Sequence, residues 1–190
     1  MSIDEAFIKL PTLSTNRLFL REVRDIDAEE LFKIKSNREL TARYGGRTHS
    51  SIEDTLGWIE RIREGYKNRE SLFWCVTLKP QDAAIGSCLF WHIDESSKCA
   101  ELGYELHPDF WQKGIMAEAV AAILQCGFGE LGFNRVEACP FAANIASNKL
   151  LLRLGFVQEG NLRQRCLVNN RFEDQLYFGL LREEWAKLQA

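Results

Sequence analysis

The alternation of apolar and polar positions divides the first third of the chain into one strand-like and two helix-like segments. Period-two alternation predicts a strand over residues 17–23. Apolar residues at three- and four-residue steps predict a helix over residues 28–40. A second helix is expected to begin at Ser50 or Ser51, with Asp54 placed to complete a capping box.

The middle of the chain has the pattern of an antiparallel sheet. Strand-like runs at 72–78 and 84–92 flank a polar turn at 79–82, and this arrangement predicts a hairpin. A third run, residues 101–107, ends at Pro108, which cannot donate to a strand ladder.

The remaining segments complete the predicted order β-α-α-β-β-β-α-β-α-β-β. They are a helix from Ile115, a strand at 135–139, a helix at 144–154 with Asn144 as N-cap, a hairpin of strands 156–168 and 172–180 around Asn169-Asn170, and a last helix at 182–188. Residues 1–14 show no period and are expected to form a loosely attached leader. The order fits one mixed α/β sheet in a single domain over residues 1–190.

The segment from Glu101 to Leu131 predicts a strand, a glycine-bearing turn and the start of a helix. The first amides of a helix lack internal partners and carry partial positive charge, so such a unit can bind an anion. No Ser, Thr, Asp or Asn stands directly before Ile115 to cap the helix, and a cation, Lys113, lies beside it. The unit alone does not specify a ligand, because many such units bind nothing.

Composition narrows the class of protein. The apolar share is 46% and the charged share is 27%, as in ordinary globular domains. A net charge of -3 disfavours a nucleic-acid binder that neutralises many phosphates. Six cysteines are scattered without metal-ligand spacing, which predicts buried thiols in a reducing compartment and no metal site. We find no secretory signal and no membrane-spanning run, so a cytoplasmic location without membrane contact is expected.

Four ordered blocks of the sequence form a recognisable pattern. The turn block has Trp111, Gly114, Glu118 and Ala119, and a later block has Asn144, Ser147, Leu154, Gly155 and Phe156. The opening residues 15–21 and the closing residues 174–185 are the other two blocks. Together the four blocks resemble the GNAT superfamily of N-acetyltransferases, and within it the RimJ/RimL-like branch.

The resemblance implies a GNAT fold with acetyl-CoA as co-substrate and no metal. That fold is a single mixed, mostly antiparallel twisted sheet of about seven strands, flanked by helices and splayed at its central strands. The implied cofactor-binding residues are Leu106 and His107 on the strand, Gln112, Lys113, Gly114, Ile115, Met116 and Ala117 in the turn, and Asn144 and Asn148 in the later block.

The resemblance also points to Ser147 as the group that protonates the leaving thiolate. From the sequence alone Ser147 could equally be a solvent-facing helix residue. Other GNAT branches use a tyrosine near this position, and none lies between Tyr104 and Tyr177. Glu101 and Glu105 share one face of a strand and are the candidate bases, although both could be ordinary surface carboxylates.

The strength of the base bears on the substrate. An α-amine with a pKa of about 8 is already partly neutral near neutral pH, whereas a lysine amine with a pKa of about 10.4 costs roughly 4 kcal/mol to deprotonate there. An α-amine is therefore the easier substrate if no strong base exists.

Two residues depart from the family pattern. Met116 stands where the superfamily usually has Gly or Ala, which puts close approach of the backbone to a phosphate in doubt. Cys166 stands where some RimL-like members carry a carboxylate proposed to assist the amine, so their base cannot be transferred directly.

These observations predict direct acetyl transfer from acetyl-CoA to a primary amine. The resemblance favours the N-terminal α-amine of a ribosomal protein. The alternatives are a small-molecule amine (a polyamine, aminoglycoside or amino acid) and a non-catalytic acyl-CoA-binding regulatory module. A nucleotide-binding βαβ protein is disfavoured, since Gly-x-Gly-x-x-Gly is missing after the strand. Pairing of the closing strands into a homodimer is one option that the sequence leaves open.

Overall fold

One mixed sheet of eight strands organises the computed structural model, which describes residues 1–168 and 170–189. The strands lie in the order β1-β2-β3-β4-β5-β6-β8-β7. Their bounds are β1 Leu13–Ser14, β2 Leu18–Arg21, β3 Ser71–Leu78, β4 Ala84–Asp94, β5 Cys99–Leu106, β6 Arg135–Ala138, β7 Val157–Val168 and β8 Arg171–Leu181. This mixed α/β architecture confirms the predicted fold class.

Seven α-helices connect and cover the strands in the described residues. They are α1 Ile3–Ile8, α2 Ala28–Lys35, α3 Arg38–Ala42, α4 Ile52–Lys67, α5 Ile115–Gly129, α6 Ile145–Arg153 and α7 Arg182–Gln189. Ser51 caps α4 by accepting from the Asp54 amide, and Asn144 caps α6 by accepting from the Ser147 amide, as predicted. In the described residues no helix is long and apolar enough to cross a membrane.

The two faces of the sheet bury different helices. On one face α5 packs with Ile115, Ala119 and Ile123 against residues of β4 and β5 in the larger core cluster. On the other face Leu31 of α2 and Ile59 of α4 pack against β3 in a smaller cluster. Side chains on the two faces of the sheet are therefore packed against different helices.

Pairing between β5 and β6 is short, and it positions the candidate site. These two strands form the parallel pair, and they pair only over Cys99–Glu101 and Arg135–Glu137. The pairs of neighbouring strands elsewhere in the sheet are antiparallel. Beyond Glu101 the strands separate, while β5 continues to pair with β4 as far as Leu106. This is the predicted splay at the centre of the sheet.

The N-terminal residues differ from the expected loose leader. Ser2 and Glu5 form a capping box on α1, the helix buries Ala6, and Tyr66 donates to the Ala6 carbonyl at 2.7 Å. Leu13 and Ser14 then pair with β2 and become the eighth strand. The alternation was too short to reveal a two-residue edge strand.

Two further segments differ from the sequence prediction. The single helix expected over 28–40 is two helices, because Asn37 leaves the helical conformation and caps α3 by accepting from the Leu40 amide at 3.0 Å. In the predicted closing turn, Asn170 has a φ of 60°, and Asn169 lies outside the described residues.

Candidate active site

The N-terminus of α5 has no side-chain cap. Its N-cap residue is Gly114, with a φ of 72°, and Gln112 also has a positive φ, of 59°. Both residues are exposed, and so is Lys113 between them. A left-handed residue before the helix turns the chain sharply, and a glycine adopts that conformation without a Cβ penalty. The first amides of α5, including those of Ile115 and Ala117, therefore remain able to bind an anion.

The negative charge of Glu118, in the first turn of α5, is balanced by Arg17 from the N-terminal part of the chain. Its carboxylate accepts from Thr15 Oγ1 at 2.5 Å, from the Arg17 amide at 3.0 Å and from Arg17 Nε at 2.7 Å. Burial opposes the charge, but these hydrogen bonds hold the pKa of Glu118 below its ordinary value. Arg17 also donates to the Lys113 carbonyl at 3.0 Å, which ties the turn to β2.

Met116, whose size raised doubt about the turn, points away from it. Its side chain is buried in the large core cluster, where its Sδ lies 3.5 Å from Cys88 Sγ. The backbone at Met116 is therefore not shielded by the side chain on the solvent side.

The edge of β5 that faces β6 opens where the two strands separate. His107 donates its amide to the Ile85 carbonyl at 2.8 Å and accepts from the Phe110 amide at 3.0 Å, so its backbone groups are used within the chain. Because backbone groups of successive strand residues point to opposite edges, those of Tyr104 and Leu106 face the opening. The Leu106 carbonyl accepts from Trp111 Nε1 at 2.8 Å. The backbone groups of Tyr104 and the amide of Leu106 therefore face the opening, whereas those of His107 do not.

The start of α6 lies across the opening from β5. Ser147 Oγ is 2.6 Å from the hydroxyl of Tyr104, a partner that the sequence analysis missed. Burial raises the pKa of Tyr104 above its ordinary value, although the bond to Ser147 opposes this. The alternation along β5 does place Tyr104 on the opposite face from Glu105, which is the face that α5 covers. The sequence could not show that α6 lies close to this face.

The two asparagines of α6 are used differently. Asn144 caps the helix and donates Nδ2 to the Arg43 carbonyl at 3.3 Å. Asn148 donates Nδ2 to the Ala142 carbonyl at 3.0 Å, while its Oδ1 is buried without a hydrogen-bond partner. A buried polar atom without a partner costs free energy unless a ligand or water satisfies it.

Glu105 is a buried member of an ion pair and not a surface carboxylate. Lys35 Nζ lies 2.7 and 2.8 Å from its two oxygens, Tyr44 donates to it at 2.8 Å and Ser87 at 3.2 Å. The ammonium of Lys35 also lies 4.1 Å from the ring centre of Trp58. Burial, followed by the charge of Glu105, raises the pKa of Tyr44, so the Tyr44 hydroxyl stays a donor. Every oxygen of Glu105 thus has a partner within the chain.

Glu101 lies at the closed end of the splay, on the last rung that pairs β5 with β6. Its side chain is 19% exposed, and its Oε2 lies 3.0 Å from Nδ1 of His92. Burial raises the pKa of Glu101, and the bond to His92 opposes this rise. Glu101 and Glu105 share one strand face, as predicted, but their surroundings differ.

Cys166 lies on β7, 3.9 Å from Oε1 of Gln175. All six cysteines are free, and Cys75, Cys88 and Cys126 are buried. Two surface depressions border the hairpin of β7 and β8, and the smaller, of about 170 Å³, lies between the residues around α3 and Leu167-Val168. Neither depression is lined by the residues of α5 or α6 described above.

Comparison with known proteins agrees with this geometry. Residues 17–157 match the acetyltransferase (GNAT) domain family. The uncharacterised N-acetyltransferase YoaA of Bacillus subtilis is 34% identical over 172 residues, which cover 90% of this chain and 97% of YoaA. The ribosomal protein uS5-alanine N-acetyltransferase of Escherichia coli is 27% identical, over 91% of this chain and 92% of that enzyme.

A solved structure supports the same conclusion. Microcin C7 self-immunity acetyltransferase MccE, in complex with acetyl-CoA and AMP, has a TM-score of 0.79 and 26% identity, covering 88% of this chain and 93% of that one. The chain therefore belongs to the GNAT acetyltransferase family, and its relatives include ribosomal-protein N-acetyltransferases. It is an N-acetyltransferase.

Proposed function

We propose that this N-acetyltransferase transfers the acetyl group of acetyl-CoA directly to the N-terminal α-amine of a ribosomal protein. The splay between β5 and β6 is the observation that carries the proposal. The free amides of the α5 N-terminus lie at one end of this opening, and the partly buried carboxylate of Glu101 lies at the other. Such an opening can hold an extended thioester ligand along β5 with its reacting end beside Glu101.

The turn before α5 is proposed to hold the pyrophosphate of acetyl-CoA. The residues would be Gln112, Lys113, Gly114, Ile115, Met116 and Ala117, which donate backbone amides without a competing side-chain cap. Neutralisation of Glu118 by Arg17 supports this assignment, since a free carboxylate in the first turn would repel a phosphate.

The pantetheine arm is proposed to lie against the opened edge of β5. Tyr104 presents its backbone groups and Leu106 its amide there. Helix α6, which is capped by Asn144 and carries Asn148, contacts Tyr104 through Ser147.

Acetyl-CoA supplies an activated acyl group with a thiolate leaving group, and the chain must manage two protons. Glu101 would accept one proton from the incoming ammonium group, which produces the neutral amine that attacks. Ser147 would donate a hydrogen bond to the leaving sulfur, and the hydroxyl of Tyr104 behind it would hold Ser147 in place. Glu105 is not proposed as the base, because Lys35 already pairs with it.

The choice of an α-amine rests on two points. A ribosomal protein uS5-alanine N-acetyltransferase matches nearly the whole chain. In addition, Glu101 is a single partly buried carboxylate, and an α-amine with a pKa of about 8 needs less help to lose its proton than a lysine amine does.

Mass spectrometry can test the substrate by locating the transferred acetyl group. The protein is incubated with acetyl-CoA and a peptide that carries both an N-terminal alanine amine and an internal lysine, and separately with spermidine. We expect acetylation of the alanine amine with little on the lysine or on spermidine. Preferential acetylation of spermidine would refute the ribosomal substrate while leaving the reaction class intact.

A further inference from the structure

His92 lies where it can carry a proton away from Glu101. It follows Trp91 near the end of β4, where the register between β4 and β5 shifts between Trp91 and Asp94. Its φ of 46° lies in the left-handed region, which is uncommon for a residue other than glycine. Trp91 stacks on the imidazole at a centroid distance of 4.0 Å, with 19° between the ring planes. The shifted register and the stacked indole together fix the direction of the ring.

In this orientation the imidazole of His92 lies beside the carboxylate of Glu101, at the closed end of the splay. Nδ1 of His92 lies 3.0 Å from Oε2 of Glu101, within hydrogen-bond distance. The carboxylate side chain is 19% exposed, whereas that of His92 is 68% exposed. One nitrogen of the ring therefore meets a partly buried acid, while most of the His92 side chain is open to solvent.

The other titratable groups beside Glu101 are a carboxylate held by an arginine and a thiol. Glu137 of β6 pairs with Glu101 across the last rung and raises its pKa further, after burial. Arg135 holds Glu137 through a bond of 2.6 Å and also pairs with Glu159. Cys139, just after β6, is a thiol whose pKa is raised to about 12 by burial first and then by Glu101 and Glu137, so it does not exchange protons near neutral pH.

We propose that His92 is the proton-relay residue of this enzyme, which passes the proton taken up by Glu101 to bulk water. This inference rests on the proposed role of Glu101. His92 does not touch the substrate, so it acts through the carboxylate as a positioning and relay residue.

The proton balance leaves one proton to be released to solvent. Acetylation of an ammonium group, R–NH₃⁺, gives R–NH–acetyl, free thiol and one proton released to solvent. The first amine proton goes to Glu101. It then passes from Oε2 of Glu101 to Nδ1 of His92, and the resulting imidazolium gives a proton from Nε2 to water. The neutral amine forms the C–N bond, the C–S bond breaks, and the second amine proton ends on the thiol sulfur. Glu101 returns to its ionised form without a further reactant.

His92→Gln tests the relay, because glutamine retains a hydrogen bond to Glu101 but cannot carry a proton between two nitrogens. The substrate is a lysine-free peptide with an N-terminal alanine amine, assayed with saturating acetyl-CoA in dilute buffer over a range of pH. We expect kcat to fall about 10-fold, less than the roughly 100-fold or more that a direct general base contributes, with KM for acetyl-CoA unchanged. Added imidazole should restore most of the lost kcat in the variant and leave the wild type unaffected.

Lys98→Gln is the matched control. Lys98 is exposed on the same β4–β5 hairpin and also has a left-handed φ, of 51°, but it does not contact Glu101. Its kcat should equal that of the wild type, with and without imidazole. A His92→Gln variant with wild-type kcat, or one whose loss imidazole does not restore, would overturn the relay. Absence of turnover by the wild type with every amine would instead refute the proposed function, and the relay with it.

Discussion

At the scale of single residues, the site separates two carboxylates that the sequence could not distinguish. Glu101 and Glu105 lie on one face of β5, but Glu105 is enclosed by Lys35, Tyr44 and Ser87. Lys35 comes from a helix 70 residues earlier in the chain. Nothing in the local pattern of α2 marks this lysine as buried, because charged residues usually face solvent. Only the packing of α2 on the sheet reveals the pair.

The enclosed pair predicts a large loss of stability when Lys35 is removed. Lys35→Met leaves the Glu105 carboxylate buried without its cation, and breaking a buried pair in this way typically costs about 3–5 kcal/mol. Urea unfolding at neutral pH measures the loss. Lys33→Met is the matched control, because the exposed pair of Lys33 and Glu30 on the same helix should contribute less than about 1 kcal/mol.

The double variant Lys35→Met/Glu105→Gln sharpens this test. Glutamine removes the buried charge while its carbonyl still accepts from Tyr44, so most of the lost stability should return. Equal stability of Lys35→Met and the wild type would show that the buried pair does not form.

Glu101 predicts a stability difference that depends on pH. Burial raises its folded-state pKa, so its favourable contribution is complete below the unfolded pKa and is lost as pH rises through the folded value. Glutamine does not ionise, so the Glu101→Gln variant does not lose this stability as pH rises. We expect the variant to gain stability relative to the wild type as pH rises from about 4 to 7, measured by urea unfolding at each pH. A difference that stays constant over this range would contradict the raised pKa.

At the scale of elements, the sequence defined α5 well and the edges of the sheet poorly. Gly114, the uncapped start at Ile115 and the long apolar stripe of α5 are local features, and the helix begins where they predict. β1 consists of two residues, and α1 is held by its own capping box and by Tyr66. The bond from Tyr66 to α1 joins segments 60 residues apart, and a contact of that kind leaves no periodic pattern in the sequence.

The start of α5 predicts opposite effects for two glycine substitutions in one helix. Gly114→Ala places a Cβ on a residue with a φ of 72°, and we expect a loss of about 1 kcal/mol together with weaker binding of CoA. The added Cβ itself meets only Arg17 Nη2, at 3.5 Å, so the conformation and not a clash causes the loss. Thermal unfolding and calorimetric CoA titration measure the two effects.

Gly129→Ala is the control at the other end of the helix. Gly129 lies in the last turn, where alanine should stabilise the protein by about 0.5 kcal/mol and leave CoA binding unchanged. Gly114→Ala would contradict the assigned turn if it bound CoA as tightly as Gly129→Ala does.

At the scale of the whole molecule, the order of elements predicted the mixed sheet, and the family resemblance implied its central splay. The contact between β5 and α6 depended on tertiary packing. Turn and helix residues from 112 to 117 lie together because they are contiguous. Ser147 and Tyr104, by contrast, are 43 residues apart and meet only because α6 crosses the opening of β5. His92 lies near a register shift between β4 and β5, which alternation along one strand cannot predict.

The role of Glu101 as base is tested most directly by CoA release from acetyl-CoA in the presence of an alanyl peptide, compared among the wild type, Glu101→Gln and Ser147→Ala. We expect turnover by the wild type, a fall in kcat of about 100-fold for Glu101→Gln and a smaller fall for Ser147→Ala, with CoA binding retained in both. Glu101→Gln that turns over like the wild type would show that the closed end of the β5–β6 splay does not provide the base.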